Sequence, residues 1–362
     1  MNILLTLAFF LVIFTSPASA DERKAIKIGV IASLTGDAAM NAEDWLRGAR
    51  MASEESVGTG TRVELVIEDD ATVPAKAVAA FNKLITLDRV QGIVGGTWDF
   101  LAETIYPLAE KAKIPFVTPT NPIEVISERA RENKWIFTNG LSLSSAVRAA
   151  DEYLAKSNVR SAALVVVNVP YGIEHALLLR EALEGRGVKV NFEDRITYEG
   201  FREEIRASAL KVWQTRPEVV FLVLNYAGVD TFLRETSKLR VEPLTLMTQT
   251  LLEAATFGNF TARYANARGI YQRTIDHHFS RRFRERWSLE PTGYAANGFD
   301  AVRCLSEAIV AKVFPITEEG TFKCNGVTGV NSFASSRRDL VQTEAVVMKL
   351  ADKRLVSDVT EN

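Results

Sequence analysis

Apolar residues fall into short, nearly continuous runs, each closed by small or polar residues and followed by a stretch with helical spacing. Ile26, Ile28, Val30 and Ile31 open the series. Such a β-branched run predicts a strand buried on both faces, the kind found in parallel sheets. It ends at Ser33, Thr35 and Gly36, ahead of a helical run from Ala42 to Glu54. The unit recurs as strand Val63 to Ile67 with helix Pro74 to Leu87, then strand Val90 to Gly96 with helix Leu101 to Ala112, then strand Ile114 to Thr118. Repetition of this kind predicts a doubly wound α/β lobe whose loops gather on one edge.

The pattern restarts after Trp135 to Gly140. Helices are predicted at about Ser144 to Lys156, Tyr171 to Gly185, Phe201 to Thr215 and Val229 to Leu239. They alternate with strands at Ala162 to Val167, Val188 to Phe192, Val219 to Leu224 and Leu244 to Met247. The result is a second lobe of the same class. Beyond it the order breaks, with helices at Phe279 to Ser288 and Tyr294 to Val313 and short strands at Ala345 to Leu350 and Leu355 to Val359. That segment has too few strands for a third lobe, so it should return to complete the first two and cross between them more than once. In open parallel sheets, ligand groups sit at the carboxyl ends of strands, which makes Ser33 to Met40 the first place to look.

Composition narrows the class. The 362 residues carry a formal charge of −2 and are 47% hydrophobic, which suits about two globular domains and gives no basic surface for nucleic acid. Residues 1–20 read as a secretory signal: Ile3 to Phe14 is apolar, Ser16-Pro17 breaks it, and Ala18-Ser19-Ala20 offers a cleavage site. An uncleaved anchor is the alternative, against which stands an apolar run shorter than the roughly 20 residues that span a bilayer. Export permits a bridge between Cys304 and Cys324, with two unpaired buried thiols as the other reading.

Seven stretches in order then resemble one family: Ile26 to Gly36, Asp69-Asp70, Gly95-Gly96, Ile114 to Pro119, Tyr171-Gly172, Pro291 to Val302 and Gly326-Val-Thr-Gly329. They are similar to landmarks of the type I periplasmic solute-binding proteins, nearest the branch that binds leucine, isoleucine and valine or short amides for ABC import. The resemblance implies two Rossmann-like lobes joined by three strands, at residues 24–141 plus 276–331 and residues 142–275 plus 332–359. It implies hinge closure over a small molecule, no catalysis, no cofactor, a monomer, a periplasmic location and a membrane ABC permease as partner.

Carried over position by position, the family site falls on Asp99, Thr120 and Asn121 where a ligand carboxylate is held, and on Ser142 and Thr250 where an ammonium is held. Ser33, Met40, Trp98, Phe100, Tyr171, Tyr226 and Tyr294 supply the remaining walls. Asp99 in place of a serine, and neutral residues in place of two acids, reverse the electrostatics a zwitterion needs. The pattern therefore predicts a neutral or weakly cationic polar ligand such as an amide, urea or amine.

Other constellations point elsewhere less well. Asp276-His277-His278 looks like a phosphoesterase metal motif, but His175 is the only further histidine. Asp69-Asp70 could serve acid and base chemistry, or could cap the next helix. Gly95-Gly96 lacks the Lys-Ser/Thr of a phosphate loop. Arg281 to Arg286 reads as a solvated helix face or as a permease contact. A sensory binding protein and an exported α/β enzyme are the competing functions.

Overall fold

A computed structural model describes residues 25–56, 61–120, 134–197, 201–273, 275–317, 320–334, 340 and 344–358. The secretory segment and Asn121 lie outside the described residues.

Strand β1 (Ile26–Ala32) is buried at all but one position and sits inside a five-stranded parallel sheet. Its neighbours are β2 (Val63–Asp69) and β3 (Gly92–Gly95), followed by β4 (Phe116–Thr118) and β5 (Ile136–Thr138), in the order β2-β1-β3-β4-β5. Helices α1 (Ala39–Ser56), α2 (Pro74–Lys83) and α3 (Asp99–Ala112) connect them. The predicted helix to Leu87 passes at Leu84–Asp88 into a π turn, ended by Arg89 in left-handed conformation. Pro107 sits inside α3 without ending it.

The second sheet runs β14-β13-β10-β9-β8-β6-β7. Its parallel strands are β6 (Ser161–Val167), β7 (Lys189–Ile196), β8 (Val219–Val223), β9 (Leu244–Met247) and β10 (Ala267–Gln272). Helices α4 (Leu143–Leu154), α5 (Pro170–Gly185), α6 (Phe201–Thr215), α7 (Tyr226–Lys238) and α8 (Leu251–Phe257) accompany them. Strands β13 (Ala345–Ala351) and β14 (Arg354–Ser357) add antiparallel edges.

Between β10 and β13 the chain returns to the first sheet as α9 (His277–Trp287), α10 (Gly293–Val310) and the hairpin β11 (Thr321–Asn325) with β12 (Val330–Ala334). Phe279, Phe283, Phe299, Val302 and Leu305 join Ile28, Val30 and Trp45 in one core. Helices α1 and α10 touch backbone to backbone: a Cβ on Gly298 would lie 2.0 Å from the Trp45 carbonyl oxygen, and one on Gly48 1.8 Å from that of Ala295. Cys304 on α10 and Cys324 on β11 form a disulfide with Cα atoms 5.5 Å apart.

Two lobes thus share three crossings, at residues 138–143, 272–277 and 334–345. The crossings are bonded to one another: Leu340 N–H donates to the Thr138 carbonyl at 2.7 Å, and Arg273 N–H to that of Glu344 at 2.7 Å. The division expected between residues 331 and 332 falls within β12. Phe333 packs against Phe137 and Phe314 in the first lobe, so that lobe extends past it. Among the described residues, no helix is long and apolar enough to cross a membrane.

Candidate functional site

Both sheets reverse winding direction, at β1/β3 and at β6/β8, and loops leaving a parallel sheet beside such a point splay apart. The two gaps face each other across a cleft of about 910 Å³ of empty space, its open mouth included. One wall comes from the ends of β3 and β4: Thr97, Trp98, Asp99, Phe100, Pro119 and Thr120. The opposite wall follows β6, β8 and β9, as Val169 to Tyr171, Leu224-Asn225 and Thr248 to Thr250. Asn41, Tyr294 and Asn297, from helices of the first lobe, complete the lining with Leu141 at a crossing.

Asp99 opens α3 with Trp98 at its N-cap, and Glu103 follows one turn later on the same face. Burial raises the Glu103 carboxyl above its ordinary range. Trp98 and Phe100 meet edge to face at 6.1 Å. The Trp98 indole N–H donates to Asn41 Oδ1 at 3.4 Å, which fixes the amide orientation, because an indole only donates. The Tyr106 hydroxyl, 3.2 Å from Thr120 Oγ1, is held well above its ordinary range by burial, then by the charges of Asp99 and Glu103.

Across the cleft, Tyr171 stands edge to face on His175 at 4.3 Å. Burial and the Asp99 charge hold its phenol up, so it stays neutral. The buried His175 ring, with Nδ1 2.9 Å from the Tyr171 carbonyl oxygen, is pushed down to about 4 by desolvation and is neutral at physiological pH. Tyr294 is raised by burial, then by Tyr171, Glu253 and Asp99. Glu253 itself, buried on α8, is pushed up to about 8 by desolvation and the Asp44 charge, with Tyr271 Oη 3.5 Å away.

Three amide atoms of the lining residues have no hydrogen-bond partner among the described residues: Asn41 Nδ2, Asn297 Oδ1 and Gln249 Oε1. All three are shut off from solvent, so they lie beneath the surface of the open cleft rather than on it.

Of the positions singled out in the sequence, Trp98, Asp99, Phe100, Thr120, Tyr171, Thr250 and Tyr294 line this cleft. Four others stand apart from it. Ser33 is fully buried, donating from Oγ to Asp70 Oδ1 at 2.5 Å. Met40 precedes Asn41 on α1, and a rotation of about 100° per residue leaves only Asn41 in the lining. Ser142 caps α4, accepting from the Ser145 N–H at 3.3 Å. Tyr226 opens α7 and packs on Phe257 at 5.7 Å. Sequence reasoning missed Asn41, Glu103, Gln249 and Asn297; the four-residue spacing from Asp99 was a usable signal for Glu103.

The other motifs have local duties. Asp69 binds Thr35 through N–H and hydroxyl, and Asp70 accepts from Ser33 and the Thr72 N–H, so the pair braces two loops; α2 is instead capped by Val73 without a side-chain bond. Asp276 caps α9, accepting from the Phe279 N–H at 2.8 Å, and both adjacent histidines are exposed. Arg282 and Arg286 pair with Glu55 and Glu54 of α1.

A family model described as periplasmic binding protein matches residues 25–324. An amino acid binding protein of Pseudomonas aeruginosa is 28% identical over 206 residues, 54% of this chain and 53% of that protein. The Leu/Ile/Val-binding protein of Escherichia coli K12 is 25% identical over 188 residues, 51% of this chain and 50% of its own. The chain therefore spans about half the length of these relatives. A leucine binding protein structure from Thermotoga maritima superposes with a TM-score of 0.79 at 18% identity, covering 92% of this chain and 98% of that one. A solute binding protein from Rhodopseudomonas palustris, solved with 3,4-dihydroxybenzoic acid, gives 0.78 at 17% identity, covering 92% and 95%. The family match over residues 25–324, which takes in both switch points and the first two crossings, makes this chain a member of the periplasmic binding protein family, of type I architecture.

Proposed function

We propose that the chain is the solute-binding component of an ABC importer, exported by its N-terminal signal and acting in the periplasm. It captures a small solute between the lobes and delivers it by hinge closure to a membrane permease. The carrying observation is the cleft itself, lined from the strand ends of both sheets and from a crossing between them. A guest touching both walls gains contacts only when they approach, so it shifts the population toward the closed form.

The solute's polar end donates N–H groups, as an amide, urea or amine does. Asp99 lines the cleft at the position that, by the sequence resemblance, holds a carboxylate in the amino-acid binders, and its four lone-pair sites let it accept from a ligand beside the interactions it already makes. The relatives' names point to amino acids, yet an α-carboxylate against Asp99 would lose several kcal/mol to like-charge contact.

A thermal-shift screen over amides, ureas, amines, amino acids and aromatic acids, paired with small-angle scattering, tests the reading. An N–H-rich solute should raise the melting temperature and shrink the radius of gyration, and Asp99→Ala should abolish both changes. Tight binding of leucine with silence from every amide and amine overturns the ligand class. Silence from the whole screen with no compaction overturns the binding function.

A further inference from the structure

Resting on the reading of the cleft as a solute site, we infer that its guest is an organic cation: a primary amine or amidinium head on an apolar, preferably aromatic body, without a free carboxylate. Glu103 is the charge partner.

The charge balance of the lining carries the first step. Among the described residues, its only acids and bases are carboxylates, Asp99 and Glu103; no lysine, arginine or histidine reaches it. Helix amino ends at the cleft supply partial positive charge: that of α3 meets Asp99 in its own first turn, that of α7 meets the side chain of Asn225, and that of α5, behind Val169, stands without a side-chain cap on the wall opposite Glu103. Glu103 lies a turn further along α3, past the reach of that helix's own amino end, and is half-buried. A half-buried carboxylate without a counterion is costly, and a cationic guest removes the cost.

The second observation concerns the head's hydrogen bonds. The carboxylates of Asp99 and Glu103 only accept, so a head that carries N–H donors satisfies them, which separates a primary ammonium or amidinium from a quaternary amine. Asn297 Oδ1, Gln249 Oε1 and Asn41 Nδ2 are shut off from solvent in this state and take no part in that choice.

The body follows from the remaining walls. Trp98, Phe100, Tyr171 and Tyr294 present rings to the same space, above an apolar floor of Leu141, Val167 and Val223. Ring faces attract a cation and ring edges pack an aromatic body, so head and body are both provided for.

The test is a series with one body and four heads: phenethylamine, phenylacetamide, phenylacetate and phenylalanine, titrated calorimetrically into the full mature chain. Phenethylamine should bind about tenfold or more tightly than phenylacetamide, with affinity falling as salt rises, and phenylacetate should give no heat. Glu103→Gln is isosteric, and its unliganded melting curve checks the fold; it should erase the amine's advantage over the amide. Phenylacetamide binding as tightly as the amine, or an advantage that survives Glu103→Gln, overturns the cation assignment and leaves the solute-binding function standing. Preferred binding of phenylacetate or phenylalanine does the same. Silence from all four overturns it too, and the broader screen described above then decides whether the cleft binds solutes at all.

Discussion

Glu253 shows how far a single side chain can be taken. Burial lifts its carboxyl from an ordinary 4.5 to about 8. Between those values the folded chain keeps a proton that the unfolded chain has released. Stability from this group is thus fully present below pH 4.5 and is lost as pH rises through 8. Glu253→Gln stays neutral throughout. Between about pH 6 and pH 9, wild type should lose more melting temperature than the variant, a difference on the order of a few kcal/mol. Parallel pH profiles would mean that Glu253 ionises in the ordinary carboxylate range. Residue-level features of this sort were poorly legible in the sequence. Thr250 was found by position along the chain, but Gln249 beside it, and the burial of Glu253, depend on where a short helix starts and which way it turns. Met40 and Asn41 make the same point: adjacent in sequence, they leave α1 in different directions.

At the level of elements, the parallel strands were readable because burial on both faces demands an unbroken apolar run, as in Ala162 to Val167. Strand β10, reading Ala-Arg-Gly-Ile-Tyr-Gln, escaped because its order comes from partners distant in sequence, and the locally paired β11–β12 hairpin escaped because neither strand, Thr-Phe-Lys-Cys-Asn nor Val-Asn-Ser-Phe-Ala, carries an apolar run. Two landmarks that looked separate, Phe299 to Val302 and Gly326 to Gly329, turn out to be one contact. Asp300 on α10 accepts from the Val327 N–H at 2.6 Å and the Thr328 N–H at 3.0 Å, and a Cβ on Gly326 would come within 2.2 Å of its carboxylate. The glycines between α1 and α10 impose a similar constraint. Gly298→Ala would place a methyl against the Trp45 carbonyl and force the helices apart, at a cost of about 1–3 kcal/mol. Chemical denaturation should show the midpoint falling with unchanged slope; an unaltered midpoint would mean that the crossing is looser than described. Replacing Cys304 and Cys324 by serine frees a loop of 20 residues and should cost about 3 kcal/mol by the same measurement.

For the molecule as a whole, the sequence already implied that its last part returns to both lobes, because two helices and two short strands cannot make a third. The path between them was not legible, since Phe333 looks like any apolar residue until Phe137 and Phe314 are placed beside it. A fragment ending at residue 141 retains all five strands of the first sheet yet lacks the face provided by Phe279, Phe283, Phe299 and Leu305. It should bind a hydrophobic dye and melt without cooperativity, whereas the full chain should melt cooperatively; a cooperative transition in the fragment would show that the later helices are dispensable.

The return of α10 to β1 also sets an order of assembly. The amino-terminal half is made first but cannot be finished until α10, which ends at Val310, has emerged, so its bare sheet must wait while the other half is synthesised. Under the export proposed above that delay is useful, since a chain kept unfinished in the cytoplasm remains threadable through a translocation channel.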